Sequence, residues 1–436
     1  MSNPTTGTRM YDFAGKIFPI ARSITGDGVR KTLQLLSENI AEGTNLQLQI
    51  HEVPTGTAVF DWNVPKEWVI RQAYIEDESG NRIVDFAENN LHVLGYSTPV
   101  DEWVSLEELK EHIYTEPAQP DVIPYVTSYY KERYGYCMSE NQKNSLTEGQ
   151  YHMVIDSELI DGQLTYGEIV LPGKRDEEIF VSTYICHPSM ANNECSGPAL
   201  SAELVRYVAN MTDRKYTYRF IYIPETIGSI TYLATENHLS HLKEHVVAAF
   251  NLTCVGDDRE YSMVASRYGK TIADDVLKNV LQTKEPFIYY DFRERGSDER
   301  QFCAPGVDLP MAVFCRSKFG EYTEYHTSAD NMDFISAAGL QNSFEVMTDV
   351  FEILEMNEYY QVGVLCEPQL GKRGLYPTIS KKGSYDGIFT MRDFIAYADG
   401  TNNLIDLSKI LSVPCKELLP IAKQLLEAGL ISYEEK

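Results

Sequence analysis

Two histidines and one glutamate, far apart in this 436-residue chain, are the residues best suited to do chemistry. His187 stands in Cys186-His187-Pro188-Ser189-Met190-Ala191-Asn192-Asn193-Glu194-Cys195-Ser196-Gly197. Glu225 stands in Pro224-Glu225-Thr226-Ile227-Gly228-Ser229, and His326 in Tyr322-Thr323-Glu324-Tyr325-His326-Thr327-Ser328-Ala329-Asp330-Asn331. Two imidazoles and a carboxylate around an open fourth position form a donor set found in catalytic zinc sites. Asp330 could stand behind His326 as an orienting carboxylate. Taken singly, each cluster also reads as structure: a satisfied loop histidine, or a glutamate capping the next helix.

The elements around these clusters decide whether they can meet. Ile179–Ile185 is an apolar, β-branched run of strand length, and Pro198–Val208 repeats apolar residues at helical spacing. His187 therefore sits where a strand gives way to a helix, and open α/β sheets bind ligands outside the carboxyl ends of their strands. Strands are expected at 178–186, 216–223, 246–255, 260–265 and 310–316, and helices at 197–210, 229–242, 271–283 and 335–356. Such alternation predicts an α/β fold, a mixed sheet with helices on both faces in three α/β/α layers. Residues 11–42 read as helical and 46–50 as a strand.

Residues 49–150 read as a β-rich insertion. It has a hairpin turning at Glu78-Ser79-Gly80-Asn81 and a capping box at Ser105-Leu106-Glu107-Glu108. A second hairpin turns at Asp161-Gly162. The core is then expected over 1–48 and 151–362, with a separate tail over 366–436. The tail's amphipathic runs, 387–398 and 404–432, have a helix-turn-helix rhythm. From Arg373 onward it carries eight Lys/Arg and eight Asp/Glu, which favours a packing or partner module over a DNA reader.

Composition narrows the classes further. A net charge of −26 argues against a nucleic-acid or anionic-membrane partner for the whole chain. No run of about 18 apolar residues exists, so no transmembrane helix is expected, and the first residues lack the features of a signal peptide. The eight cysteines are scattered without a CxxC pair, mostly in apolar runs. That suits reduced thiols and a cytoplasmic location.

The order of the motifs resembles the zinc aminopeptidases of the M28 type. It is closer still to the DUF4910 aminopeptidase-like family, with a DUF2172-type insertion and a C-terminal winged-helix-like domain. The matching stretches are Cys186–Ser189, Pro224–Ser229, Ser297-Asp298-Glu299-Arg300-Gln301 and Glu324–Asn331, with Phe60-Asp61-Trp62 and Asn90-Leu91-His92 in the insertion. The resemblance implies the phosphorylase/hydrolase-like fold of zinc aminopeptidases and a metal-dependent hydrolase. A metal-activated water would cleave an amide of a peptide or small acylated substrate. His187, Glu225 and His326 are the implied ligands, with the amide of Asn193 as a weak fourth. Glu225, Glu194 or Tyr325 would handle protons; Asp298, Arg295 and Arg300 would meet substrate, unless they form a solvated charged loop. Glu225 is either ligand or base.

The departures from the two-metal pattern matter. Ser189 stands where an orienting Asp is expected, Asn193 in place of the bridging Asp, Thr226 in place of the second Glu, and Thr253 in place of a ligand Asp. Hard divalent cations prefer carboxylates to neutral oxygens, so one zinc is expected rather than two. The alternative is an inactive peptidase-like protein that binds a ligand, or a partner or second copy through its C-terminal domain.

Overall fold

The computed structural model describes residues 5–129, 131–375 and 386–433. It divides into two compact units, residues 1–273 with 288–344, and residues 274–287 with 345–436.

The first unit is built on an eight-stranded mixed sheet. Its order is Gln49–Pro54, Gln163–Leu171, Thr217–Ile223, Glu178–Tyr184, Val246–Leu252, Met311–Cys315, Tyr261–Val264 and Phe287–Tyr290. The four central strands run parallel. Gln163–Leu171 and Tyr261–Val264 flank them antiparallel. Every residue of Glu178–Tyr184 is buried, as expected of a parallel strand covered on both faces. Side chains alternate along it. Phe180 joins a core with Ile227, Ile230, Leu233 and Leu242 of the helices Ile227–Ala234 and His238–His245. Thr183 faces the helix Ser196–Ala209 on the other side.

Three expectations need adjustment. The 11–42 stretch is two helices, Thr6–Ile17 and Asp27–Ala41, and their connector carries Arg22 into the interior. The 229–242 helix is likewise two, Ile227–Ala234 and His238–His245, because Glu236 and Asn237 adopt left-handed backbone (φ 51° and 62°), which ends a helix. Finally, 49–150 does not separate from the core. Its four-stranded sheet contains Gln150–Ile160, which turns at Asp161-Gly162 into Gln163–Leu171 of the main sheet. Trp68, Val104, Tyr136 and Met153 share one apolar core with Phe180, Ile221 and Ile223.

The second unit holds the helices Asp386–Tyr397, Leu404–Leu411 and Cys415–Glu427, and a small ladder of Gln361–Val362 with Ile431–Ser432. Asn403 and Asp406 form a reciprocal capping box on the middle helix. Both lysines of the last helix are paired within the unit, Lys416 with Asp349 (2.6 Å) and Lys423 with Glu352 (2.7 Å). That helix therefore offers no free basic face.

Among the described residues no helix is long and apolar enough to cross a membrane. None of the eight cysteines is in a disulfide, and seven are buried.

Gly197 sets how closely the helix after His187 approaches the sheet. A Cβ there would lie 2.3 Å from Thr183 Oγ1 and 2.6 Å from Leu252 O. Gly197→Ala is therefore expected to lose about 1–3 kcal/mol of stability through overpacking, read as a lower denaturant midpoint with an unchanged m-value. An unchanged midpoint would mean the helix can move away at no cost.

Candidate active site

The carboxyl ends of the four parallel strands and the loops that follow them supply the histidines and the glutamate of the site. Cys186 and His187 follow Glu178–Tyr184; Glu225 follows Thr217–Ile223; Thr253 and Cys254 follow Val246–Leu252; His326 lies in the loops after Met311–Cys315. The backbone here is strained. Ser189, Thr226, Cys254 and His326 all have positive φ (39°, 64°, 52° and 56°). Thr226, with ψ −74°, is the centre of the rare form of γ-turn, closed by Ile227 N–H donating to Glu225 O at 2.8 Å. Residues 191–195 form a π-turn that opens into the helix Ser196–Ala209. Strained backbone and π-turns concentrate where side chains must be aimed.

His187 is held from one side. Its Nδ1 lies 2.8 Å from Glu194 Oε2 and 3.2 Å from Cys186 Sγ. Cys186 is a neutral thiol, its pKa pushed up to about 12 by burial, and its sulfur already accepts the Glu225 N–H (3.2 Å). The hydrogen-bond network therefore assigns the Nδ1 proton to Glu194. Burial opposes charge on His187, but the adjoining Glu194 carboxylate outweighs it, and the imidazole pKa stands well above its usual value, so a cation on Nε2 would have to displace the second ring proton. Behind Glu194 lies the guanidinium of Arg22, fully buried, with Nε 3.8 Å from Glu194 Oε1. Arg22 also donates to the carbonyls of His187 (3.0 Å) and Ile17 and touches Cys195 Sγ (3.4 Å).

The other face of His187 is open. Nε2 lies 3.7 Å from Glu225 Oε2, on a cavity of about 370 Å³ that Cys186, Thr226, Arg300 and His326 also line. Burial raises the pKa of Glu225, opposed by His187 and Arg300. His326 Nε2 is buried with no hydrogen-bond partner, and burial plus the adjacent His187 pushes its pKa down to about 3. It is thus a neutral imidazole with a free lone pair. Tyr125 completes the group. Its ring lies 5.1 Å from His187 and 5.0 Å from His326, and its N–H donates to His326 O (2.8 Å).

Several sequence expectations are redirected by these contacts. Glu194 is buried behind His187 and does not line the cavity, so it positions the imidazole. It supplies the orienting carboxylate absent at Ser189, which instead accepts from Asn90 Nδ2 (2.8 Å). Asp330 does not orient His326. It accepts the N–H groups of Asn192 (2.6 Å) and Asn193 (3.0 Å) and the Tyr322 hydroxyl (3.0 Å), bracing the π-turn. Tyr325 stacks on His326 at 3.9 Å without lining the cavity. Arg295 is exposed and lies over Phe292, outside the cavity, whereas Arg300 lines it. Asp298 lies beneath, accepting from Thr226 N (2.8 Å) and Ser229 Oγ (2.9 Å). Burial and Glu225 raise its pKa to about 8.

The donor set argues against two metal ions. Asn193 donates its amide to Tyr184 OH (2.6 Å), and that hydroxyl also bonds Thr253 Oγ1. A neutral network thus occupies the places of two missing carboxylates, and Asp257 is spent on Asn192 Nδ2 (3.0 Å) and Ser317 (2.9 Å).

The fit to one ion is incomplete. His187, Glu225 and His326 share the cavity, yet their donor atoms do not all lie within 4.8 Å of one another. Among the described residues the set that does is Cys186, His187 and Glu194. Those three atoms already contact each other inside the wall, and the Arg22 charge beside Glu194 opposes a cation there. His326, in contrast, lines the cavity and is held by ring contacts with Tyr125 and Tyr325.

Arg22, Tyr125 and Tyr184 went unnoticed in the sequence. Their only local signals are an arginine in the Ala21–Gly28 connector and tyrosines within otherwise ordinary loop and strand runs.

Comparisons agree with this architecture. Residues 11–357 match the family described as "Domain of unknown function (DUF4910)", and residues 357–433 match "winged helix-turn-helix". A Clostridium acetobutylicum protein named "Putative polysaccharide biosynthesis protein with aminopeptidase-like domain" is 43% identical over 407 residues, 92% of this chain and 91% of its own. A crystal structure described as "putative peptidase" from Clostridium acetobutylicum superposes with a TM-score of 0.91 at 39% identity, covering 98% of this chain and 97% of the other. A zinc aminopeptidase from Bacillus subtilis shares the fold at 13% identity, with a TM-score of 0.57 over 80% of this chain and 95% of that one. The chain belongs to the DUF4910 family, an aminopeptidase-like fold followed by a winged helix.

Proposed function

We propose that this protein is a hydrolase that cleaves the amide bond of a small acylated or peptide substrate, using one zinc-class cation at His187, Glu225 and His326. The observation that carries this reading is the buried, unpartnered Nε2 of His326, a residue that lines the same cavity as Glu225 and His187. A cation held by these three residues would supply a water of pKa about 7 as the nucleophile. Glu194 holds one His187 proton on Nδ1, which leaves Nε2, facing Glu225, as the nitrogen that would give up its proton to a cation. Arg22 balances the Glu194 charge, so His187 remains the member that faces substrate. Glu225 acts as ligand, or as the base that takes the proton of the attacking water. Arg300, bonded to Thr226 Oγ1 (2.6 Å) and to Ser297 O through Nε (3.1 Å), orients the substrate. The name of the 43%-identical relative supports a sugar as the acylated substrate.

The Tyr184–Asn193–Thr253 network favours a second reading, a scaffold that has lost catalysis and binds a ligand, with the winged-helix unit as its contact module. Metal analysis separates the two. Zinc-supplemented, dialysed protein is expected to retain about one zinc per chain and to gain about 2.7 kcal/mol at a hundredfold excess over Kd. His326→Ala should lose both the metal and amide turnover. Retention of less than about 0.1 equivalent, with no thermal shift, would exclude the cation.

Glu194→Gln keeps the shape of the side chain but removes the charge that fixes the His187 tautomer. A drop of about 10–100-fold in zinc affinity is expected, measured by competition with a chromophoric chelator. Unaltered affinity would make Glu194 a structural residue only.

A further inference from the structure

The cavity holds more information than its donor atoms. Its lining includes three aromatic rings, Trp62, Tyr125 and Tyr129, all contributed by the 49–150 segment. Trp62 follows the turn of the short hairpin Ala58–Val59 and Trp62–Asn63 and is 37% exposed. The Tyr125 and Tyr129 hydroxyls bond each other at 2.8 Å, which locks those rings as a wall. At about 370 Å³ the space suits one ring-sized ligand with a short acyl arm rather than an extended chain.

The charges point the same way. Although the whole chain carries −26, among the described residues the only carboxylate lining the cavity is Glu225, and it faces His187 at 3.7 Å. An aminopeptidase must bury the substrate's α-ammonium, which is costly without a free anion. This cavity offers Arg300 instead. Two of its nitrogens are anchored on Ser297 O and Thr226 Oγ1, and it forms no ion pair among the described residues. A guanidinium fixed in this way is suited to binding a carboxylate or phosphate.

We infer that the site selects an N-acylated amino sugar bearing a carboxylate or phosphate, its ring against Trp62, Tyr125 and Tyr129 and its anion on Arg300, and that it rejects free amines. The inference rests on the amide-hydrolase reading for the bond attacked, but it concerns binding alone. It is therefore tested without turnover, by calorimetry on the full chain with four probes: N-acetylmuramic acid, the phosphate ester of N-acetylglucosamine, neutral N-acetylglucosamine, and the phosphate ester of glucosamine, whose amine is free. At least one of the two anionic acylated probes should bind about tenfold or more tightly than either of the others, the cost of one charged hydrogen bond. The tighter of the two identifies the anion. Arg300→Gln should bring the anionic acylated probes down to the neutral level and leave N-acetylglucosamine unchanged. Trp62→Ala, a partly exposed position, should weaken every acylated probe and preserve the preference for the anion. The inference is overturned if the free-amine probe binds as tightly as its acylated counterpart, if Arg300→Gln leaves the anion preference intact, or if no acylated probe binds. Loss of zinc or of hydrolysis would sink the catalytic reading and leave these outcomes untouched.

Discussion

The carboxylate of Glu194, shut away between the Arg22 guanidinium and the His187 imidazole, is the interaction on which the rest of the site depends. A buried anion is costly unless it is both paired and hydrogen-bonded. Here the cation comes from the connector between the first two helices, and the hydrogen-bond donor from the end of a central strand. That arrangement ties the N-terminal segment to the sheet and fixes the proton on Nδ1. It also decides which nitrogen of His187 faces outward. The cation reading, the role of Glu225 and the access of substrate all follow from that choice.

The second constraint is steric. The helix after His187 reaches the sheet closely only because residue 197 has no side chain. The π-turn before that helix is braced by Asp330 through two backbone N–H groups. Asp330 therefore serves the geometry of the His187 loop, not His326, and His326 is held instead by stacking on Tyr325 and an edge-to-face contact with Tyr125. Aromatic contact takes the place of a carboxylate and leaves that imidazole neutral.

Much of the fold was legible in the chain. The strand–helix alternation from residue 178 onward marks the parallel sheet, because buried parallel strands read as continuous apolar runs. The placement of His187, Glu225 and His326 beyond strand ends follows from the same pattern. What could not be read were directions. Sequence spacing does not say that Glu194, seven residues after His187, folds back onto Nδ1, or that Asn193 turns away to Tyr184. It does not say that Arg22, more than 160 residues away in the chain, ends beside them. Nor does periodicity reveal that the insertion shares its core with the sheet, since that depends on one long hairpin crossing from one sheet to the other.

The most direct test is nitrogen NMR of the zinc-loaded protein with isotope-labelled histidine. His187 is expected to keep its proton on Nδ1 and to show a metal-shifted Nε2, with His326 shifted alongside it. A metal-shifted, unprotonated Nδ1 on His187 would put the ion between Cys186 and Glu194 and contradict the account.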